Sequence, residues 1–229
     1  MTSDQVLFRL LRGIKGFKKR YYELDPEKMR DLTEHGQNPR VLLIACSDSR
    51  VDPALLTGAE PGDIFVVRNV ANLVPAYQME GHVDGARAAI EYAVRHLEVS
   101  HIVVLGHACC GGIQALLASI SGQSIQSDFI GDWVSVALDG CFRYLLDPEG
   151  SAPRTLELEK EQIETLSEHP HLTERAAIRG SLSNLATYPW IKERMREGRL
   201  SLHGWWFDLE SGDLWTTNDD NSSFLPVIE

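Results

Sequence analysis

With 229 residues and only four cysteines, the chain can bury one large core without a disulfide framework, and it has room for one domain with an arm rather than two full domains. A content of 43% hydrophobic and 24% charged residues excludes a disordered or fibrous chain. A formal net charge of -11 excludes broad contact with nucleic acid or an anionic membrane, since both need a positive field, and leaves a small molecule as the expected ligand.

Residues 5–21 place Leu7, Leu10, Leu11, Ile14, Phe17 and Tyr21 at helical spacing, with six basic residues from Arg9 to Arg20 among them. This predicts an amphipathic helix within an N-terminal arm, residues 1–35, whose basic side chains form a solvated face or a subunit contact. No apolar stretch approaches the length of a bilayer span, and the first residues lack the continuous apolar core and small-residue cleavage site of a secretory signal. A cytoplasmic location is therefore expected.

After Pro39 come three short runs that are apolar throughout, as buried parallel strands are: VLLIAC at 41–46, IFVV at 64–67 and HIVVLG at 101–106. Between and after them, residues 85–97 and 111–120 carry strong helix formers with apolar positions three and four apart. Strands alternating with helices predict a single α/β domain, residues 36–229, with a central, mostly parallel β-sheet flanked by helices. Residues 151–200 read as mainly helical. RLSLHGWWFDL and LWTTN on either side of ESGD predict a closing β-hairpin at the sheet edge.

Chemistry concentrates at two strand ends. CSDSR follows the first run, so Cys46, Asp48 and Arg50 share one face if the chain stays extended. GHACCGG ends the third run, with His107 and Cys110 three apart in a turn that opens a helix. Open α/β sheets bind ligands at the carboxyl ends of their strands. Cys46, His107 and Cys110 together make a two-Cys, one-His set, which catalytic zinc uses while keeping a fourth position open, and which favours zinc over magnesium or calcium. Cys109 and Cys141 read as small buried hydrophobes.

C-x-D-x-R followed by G-H-x-x-C-G-G, with EPGDIFVVRNVANLVP and GARAAIEYAV between them, resembles the zinc-site signature of the β-class carbonic anhydrases, from about residue 35 to 120. GWWFDLESG adds a weaker likeness. The resemblance implies zinc on Cys46, His107 and Cys110, with Asp48 and Arg50 as a catalytic dyad in which Asp48 orients the reacting water and Arg50 keeps Asp48 ionised. It implies reversible hydration of carbon dioxide to bicarbonate, and a homodimer or dimer of dimers with the N-terminal helices embracing the neighbour and the site at the subunit boundary. Gln37, Phe65, Val70 and Tyr92 resemble the substrate pocket of the family's plant-type branch; taken singly, the last three read as core and Gln37 as a loop residue.

Another branch of the family carries an inhibitory bicarbonate site built on a Trp, an Arg and a Tyr. This chain has Arg68 but Leu43 and Phe207 at the other two places, so that site is not expected here. His96, four residues after Tyr92, and His82 are rival candidates for moving the released proton. Two alternatives share the metal set: hydrolysis of carbonyl sulfide or carbon disulfide, and a closed, non-catalytic zinc module with Asp48 as fourth ligand.

Overall fold

A computed structural model describes residues 3–78, 84–123, 127–146 and 158–227. Residues 151–157 of the expected helical stretch, and His82, lie outside the described residues.

Six strands form one sheet in the order β2-β1-β3-β4-β5-β6: β1 Val41–Cys46, β2 Ile64–Asn69, β3 His101–His107, β4 Ser201–Phe207, β5 Leu214–Thr217 and β6 Phe224–Pro226. The first four are parallel and the last two antiparallel. The three apolar runs are thus the strands at one side of the sheet, with β1 between β2 and β3. The expected C-terminal hairpin is present but differs in one respect. Its first strand, β4, is an interior parallel partner of β3, and the edge belongs to β6, a three-residue strand ending in Pro226. Alternating burial along SLHGWWF looks like a hairpin strand in sequence, but here it reflects a strand with one face under a helix.

The helices are α1 Ser3–Lys18, α2 Pro26–Glu34, α3 Pro53–Thr57, α4 Gly85–Arg95, α5 Gly111–Ile120, α6 Ile130–Cys141, α7 Lys160–Glu168, α8 Pro170–Leu185 and α9 Pro189–Arg196. Proline opens α8 and α9 at the first turn, where its missing N–H costs nothing. Asp52 caps α3 by accepting from the Ala54 and Leu55 amides, and Asp84 caps α4 through Ala86.

Leu42, Ile44, Ile102, Val104 and Trp206 cluster with Ile90 and Val94 of α4, Ile178 and Leu182 of α8 and Ile191 of α9, all buried. Leu43, Ala45, Val103 and Leu105 form a smaller apolar layer on the opposite face, with Trp205 and Phe207 against it. A third cluster joins Cys46 and Cys110 to α5, α6 and α8. There α6 and α8 touch backbone to backbone at Gly140 and Gly180: a Cβ built on Gly140 would lie 2.8 Å from the Ala176 carbonyl oxygen and from the Gly180 Cα.

The expected arm helix starts at Ser3 and gives way to a π-turn over Lys19–Leu24. Leu7, Phe8, Leu10, Leu11 and Ile14 are each more than half exposed, so the apolar stripe of α1 finds no core in its own chain. Ion pairs Arg20 to Glu60 and Lys28 to Asp63 tie the end of this region to the turn before β2.

Candidate metal centre

β1 and β3 are hydrogen-bonded neighbours in parallel, so their carboxyl ends lie side by side. Cys46 is the last residue of β1, His107 the last of β3, and Cys110 is the N-cap of α5 after one turn. Their ligating atoms lie within 4.8 Å of one another, and all three residues are buried. Cys46 Sγ and Cys110 Sγ are 3.9 Å apart, and all four cysteines are free thiols.

The His107 Nδ1–H donates to the Ala108 carbonyl at 2.8 Å, which leaves the Nε2 lone pair free. Nε2 is buried with no hydrogen-bond partner. A buried, unpartnered lone pair facing two sulfurs is a donor without a recipient, and the three residues fit a zinc ion: two soft thiolates and an imidazole at one point.

The charges of the cluster follow from the contacts among its members. The Cys110 thiol donates to Cys46, which is held well below the ordinary thiol range, with the Asp48 and Ala71 amides also favouring its thiolate. Cys110, facing that negative sulfur and removed from water, is pushed up, an effect eased by the first-turn amides of Ile113 and Gly112. Burial opposes the imidazolium of His107, but the neighbouring Cys46 sulfur and the Ala108 carbonyl outweigh it. Cys141, wholly buried, is pushed up to about 12 by desolvation and belongs to the core, as expected. Cys109 is half-buried with a left-handed backbone (φ 56), a conformation that turns the chain between His107 and Cys110.

Asp48 and Arg50 lie beside the two sulfurs as a bidentate pair. Arg50 Nε donates to Oδ1 at 3.0 Å, Nη2 to Oδ2 at 2.7 Å, and the Arg50 backbone N–H to Oδ1 at 2.9 Å. The Arg50 side chain is the main reason the Asp48 carboxyl lies far below the usual carboxylate range. Arg50 Nη2 also donates to the Cys109 carbonyl at 3.1 Å, which joins the loop after β1 to the turn after β3.

Arg68 is committed to the backbone. It donates to the Cys46 carbonyl at 3.0 Å and the Asp48 carbonyl at 2.6 Å, and pairs with Asp52. Leu43 and Phe207 belong to the small apolar layer, so neither of those two places offers a polar group to an anion.

The four pocket candidates are divided. Val70 packs with the cluster of Cys46 and Cys110; its carbonyl accepts from the Trp133 indole at 2.7 Å, and Gly112 of α5 approaches its side chain so closely that a Cβ there would collide with it. Phe65 and Tyr92 pack as a tilted pair, with centroids 5.9 Å apart, toward the amino end of β2. Because Asn69, not Phe65, lies opposite Cys46, Phe65 is about 13 Å further down the strand. Gln37 is exposed ahead of β1. His96 stacks on Tyr92 at 5.3 Å and shares that distant location. A cleft of about 1170 Å³, lined by Val70, Arg68, Arg87, Trp133 and the exposed Phe129, opens alongside.

One residue in contact with the cluster is not signalled by the sequence. Glu174 of α8 is buried, and its carboxylate accepts the Cys110 N–H at 3.1 Å and the Trp206 indole N–H at 3.0 Å. The surrounding text, TERAAIRG, looks like a solvated helix face apart from its small residues Ala176, Ala177 and Gly180, whose spacing signals a close neighbour.

Comparison with known proteins agrees with this geometry. Residues 41–214 match the family model for carbonic anhydrase. A carbonic anhydrase of Synechocystis sp. is 39% identical over 207 residues, 90% of this chain and 69% of that protein. The structure of the β-carbonic anhydrase CcaA superposes with a TM-score of 0.78 at 32% identity, covering 98% of this chain and 93% of that one. A tetrameric β-carbonic anhydrase of the ascomycete Sordaria macrospora gives 0.70 at 27% identity, with 93% and 96% covered.

Proposed function

The chain belongs to the β-class carbonic anhydrases, and on that premise we propose that it catalyses the reversible hydration of carbon dioxide to bicarbonate and a proton at a zinc ion held by Cys46, His107 and Cys110. The observation that carries this reading is the convergence of two thiol sulfurs and an unpartnered imidazole lone pair beside an ionised, pinned carboxylate. When bound, zinc supplies a Lewis acid that makes a water nucleophilic near neutral pH.

The chain's own groups do the rest. Asp48, kept ionised by Arg50, is an acceptor for the proton of the reacting water and turns that water toward the carbon. Both Asp48 oxygens are engaged by Arg50, which supports an open fourth position over the closed, non-catalytic module. Val70 gives the apolar wall that a small nonpolar gas requires.

In this reading Gln37, Phe65 and Tyr92 serve the site of a second copy, since in their own chain they stand at the far end of β2. Residues 1–35 act as the arm that binds that copy, and 36–229 as the catalytic domain. The exposed stripe of α1 supports this, because an isolated helix of that length is marginal in water and its leucines need a partner. Four free thiols favour a cytoplasmic location, and among the described residues no helix is long and apolar enough to cross a membrane. The test is a stopped-flow hydration assay on protein of measured zinc content, run alongside carbonyl sulfide and carbon disulfide. Hydration proportional to bound zinc supports the proposal, and inactivity in fully loaded protein refutes it.

A further inference from the structure

The peptide unit between Cys109 and Cys110 is gripped at both ends. Arg50 Nη2, from the loop after β1, donates to its carbonyl oxygen at 3.1 Å. Glu174, from α8, accepts its N–H through Oε1 at 3.1 Å. The two holds come from elements far apart in sequence: Arg50 lies 59 residues before Cys109, and Glu174 lies 64 residues after Cys110.

Burying a carboxylate is costly unless its oxygens are satisfied, and Glu174 is only 4% exposed. Both oxygens have donors, Oε1 the Cys110 amide and Oε2 the Trp206 indole at 3.0 Å, with His171 Nδ1 a further 3.5 Å from Oε2. Trp206 is itself clamped, with the Arg175 guanidinium 4.1 Å above its ring. Oε2 is therefore held from β4 by Trp206, while Oε1 is directed at the Cys110 amide. Rotation of the 109–110 peptide would swing the Cys110 sulfur away from Cys46 and His107, and Cys109 already holds a left-handed conformation that an L side chain adopts reluctantly. Such a turn needs outside restraint.

We propose that Glu174 is a positioning residue for the metal: by holding the Cys110 N–H against the pull of Arg50 on the Cys109 carbonyl, it fixes the direction of Cys110 Sγ and so sets metal affinity and ligand field. This rests on Cys46, His107 and Cys110 being the ligands. Supporting residues around metal sites change affinity by roughly 10- to 100-fold when removed, and Glu174→Ala falls in that class. Glu174→Gln, which keeps one acceptor oxygen but turns an amide toward the other donor, falls between it and the native protein.

The experiment titrates the metal-free protein with cobalt(II), following the thiolate-to-cobalt charge-transfer and d–d bands, and measures zinc affinity by competition with a chromophoric chelator. Native protein is expected to show a two-thiolate charge-transfer band; its absence sinks the ligand assignment itself. With that band present, Glu174→Ala and Glu174→Gln should weaken metal binding in that order and shift the d–d bands. Native affinity and native bands in both variants, even with a lowered melting temperature, overturn the proposal by reducing Glu174 to a structural role. Should neither variant fold, Trp206→Phe decides: it keeps the ring under Arg175 and removes one donor to the carboxylate. Shifted cobalt bands in Trp206→Phe support the positioning role, and unshifted bands overturn it.

Discussion

Arg50 holds Asp48 by both carboxylate oxygens, through its backbone N–H, its Nε and its Nη2, at 2.7 to 3.0 Å. Two groups bonded in this way act as one. Asp48→Ala and Arg50→Ala are each expected to lower turnover by roughly 100-fold or more, with zinc content unchanged. The double variant should lose little beyond either single one, as residues working as a unit do. If the two losses multiply, the residues work separately.

Metal removal should register in stability. An ion present at about 100 times its Kd stabilises by about 2.7 kcal/mol, or about 5–10 °C in a chain of this size. Excess chelator should therefore lower the melting temperature of the native protein and of Cys109→Ser by that amount. Cys46→Ser and Cys110→Ser should start low and stay there. A Cys109→Ser protein without zinc, beside a loaded Cys110→Ser, would reverse the assignment.

The α6–α8 contact leaves no space at Gly140 or Gly180, and the obstacles are backbone atoms that cannot rotate away. Gly140→Ala should cost roughly 1–3 kcal/mol through overpacking, more than the ~1 kcal/mol that alanine gains in helix propensity. A lowered urea midpoint with an unchanged slope would show it. A higher midpoint would mean the helices part easily.

At the opposite end of the sheet, His101 Nδ1 and His203 Nε2 are 3.2 Å apart on β3 and β4. Burial, and then the neighbouring His101, lower the basicity of His203 from its ordinary 6.5. A group whose folded pKa is depressed adds stability above its unfolded value and loses it as pH falls from there through the folded value. Between pH 7.5 and 5 the native protein should thus lose more thermal stability than His203→Gln. Parallel curves for the two proteins would remove the pair from the pH response.

Removal of residues 1–24, which carry the exposed stripe of α1, should convert the proposed assembly to smaller species in sedimentation velocity. An undiminished mass would free the arm from any part in assembly.

What could be read in the sequence was what depends on local pattern. VLLIAC and HIVVLG announce buried strands because nothing in them tolerates water, and the ligands follow at their ends, where topology gathers polar groups. β4 was legible as a strand but not as an interior one, because SLHGWWF alternates as an edge strand would. α6 has Phe129 at its N-cap, a residue that cannot cap, and its first-turn Gly131 amide is taken by Ser127 from two residues further back, so its start carries only a weak signal. Glu174 was invisible for a deeper reason. A glutamate in a helix is ordinarily solvated, and only the fold, by bringing Trp206 and the Cys110 amide to it, makes this one internal.

The metal group is also a matter of timing during synthesis. Cys46 and Cys110 are separated by 64 residues, so at about 5–20 residues per second the ribosome delivers the second thiol roughly 3–13 s after the first. Until β3 pairs with β1, Cys46 is a single thiol on a nascent strand, too sparse a ligand to capture an ion. The buried carboxylate comes 64 residues later still, and its indole partner after that. An ion held by these three residues would thus be bound late, after both thiols have been delivered, and until then the sulfurs would be open to any oxidant that reaches them first.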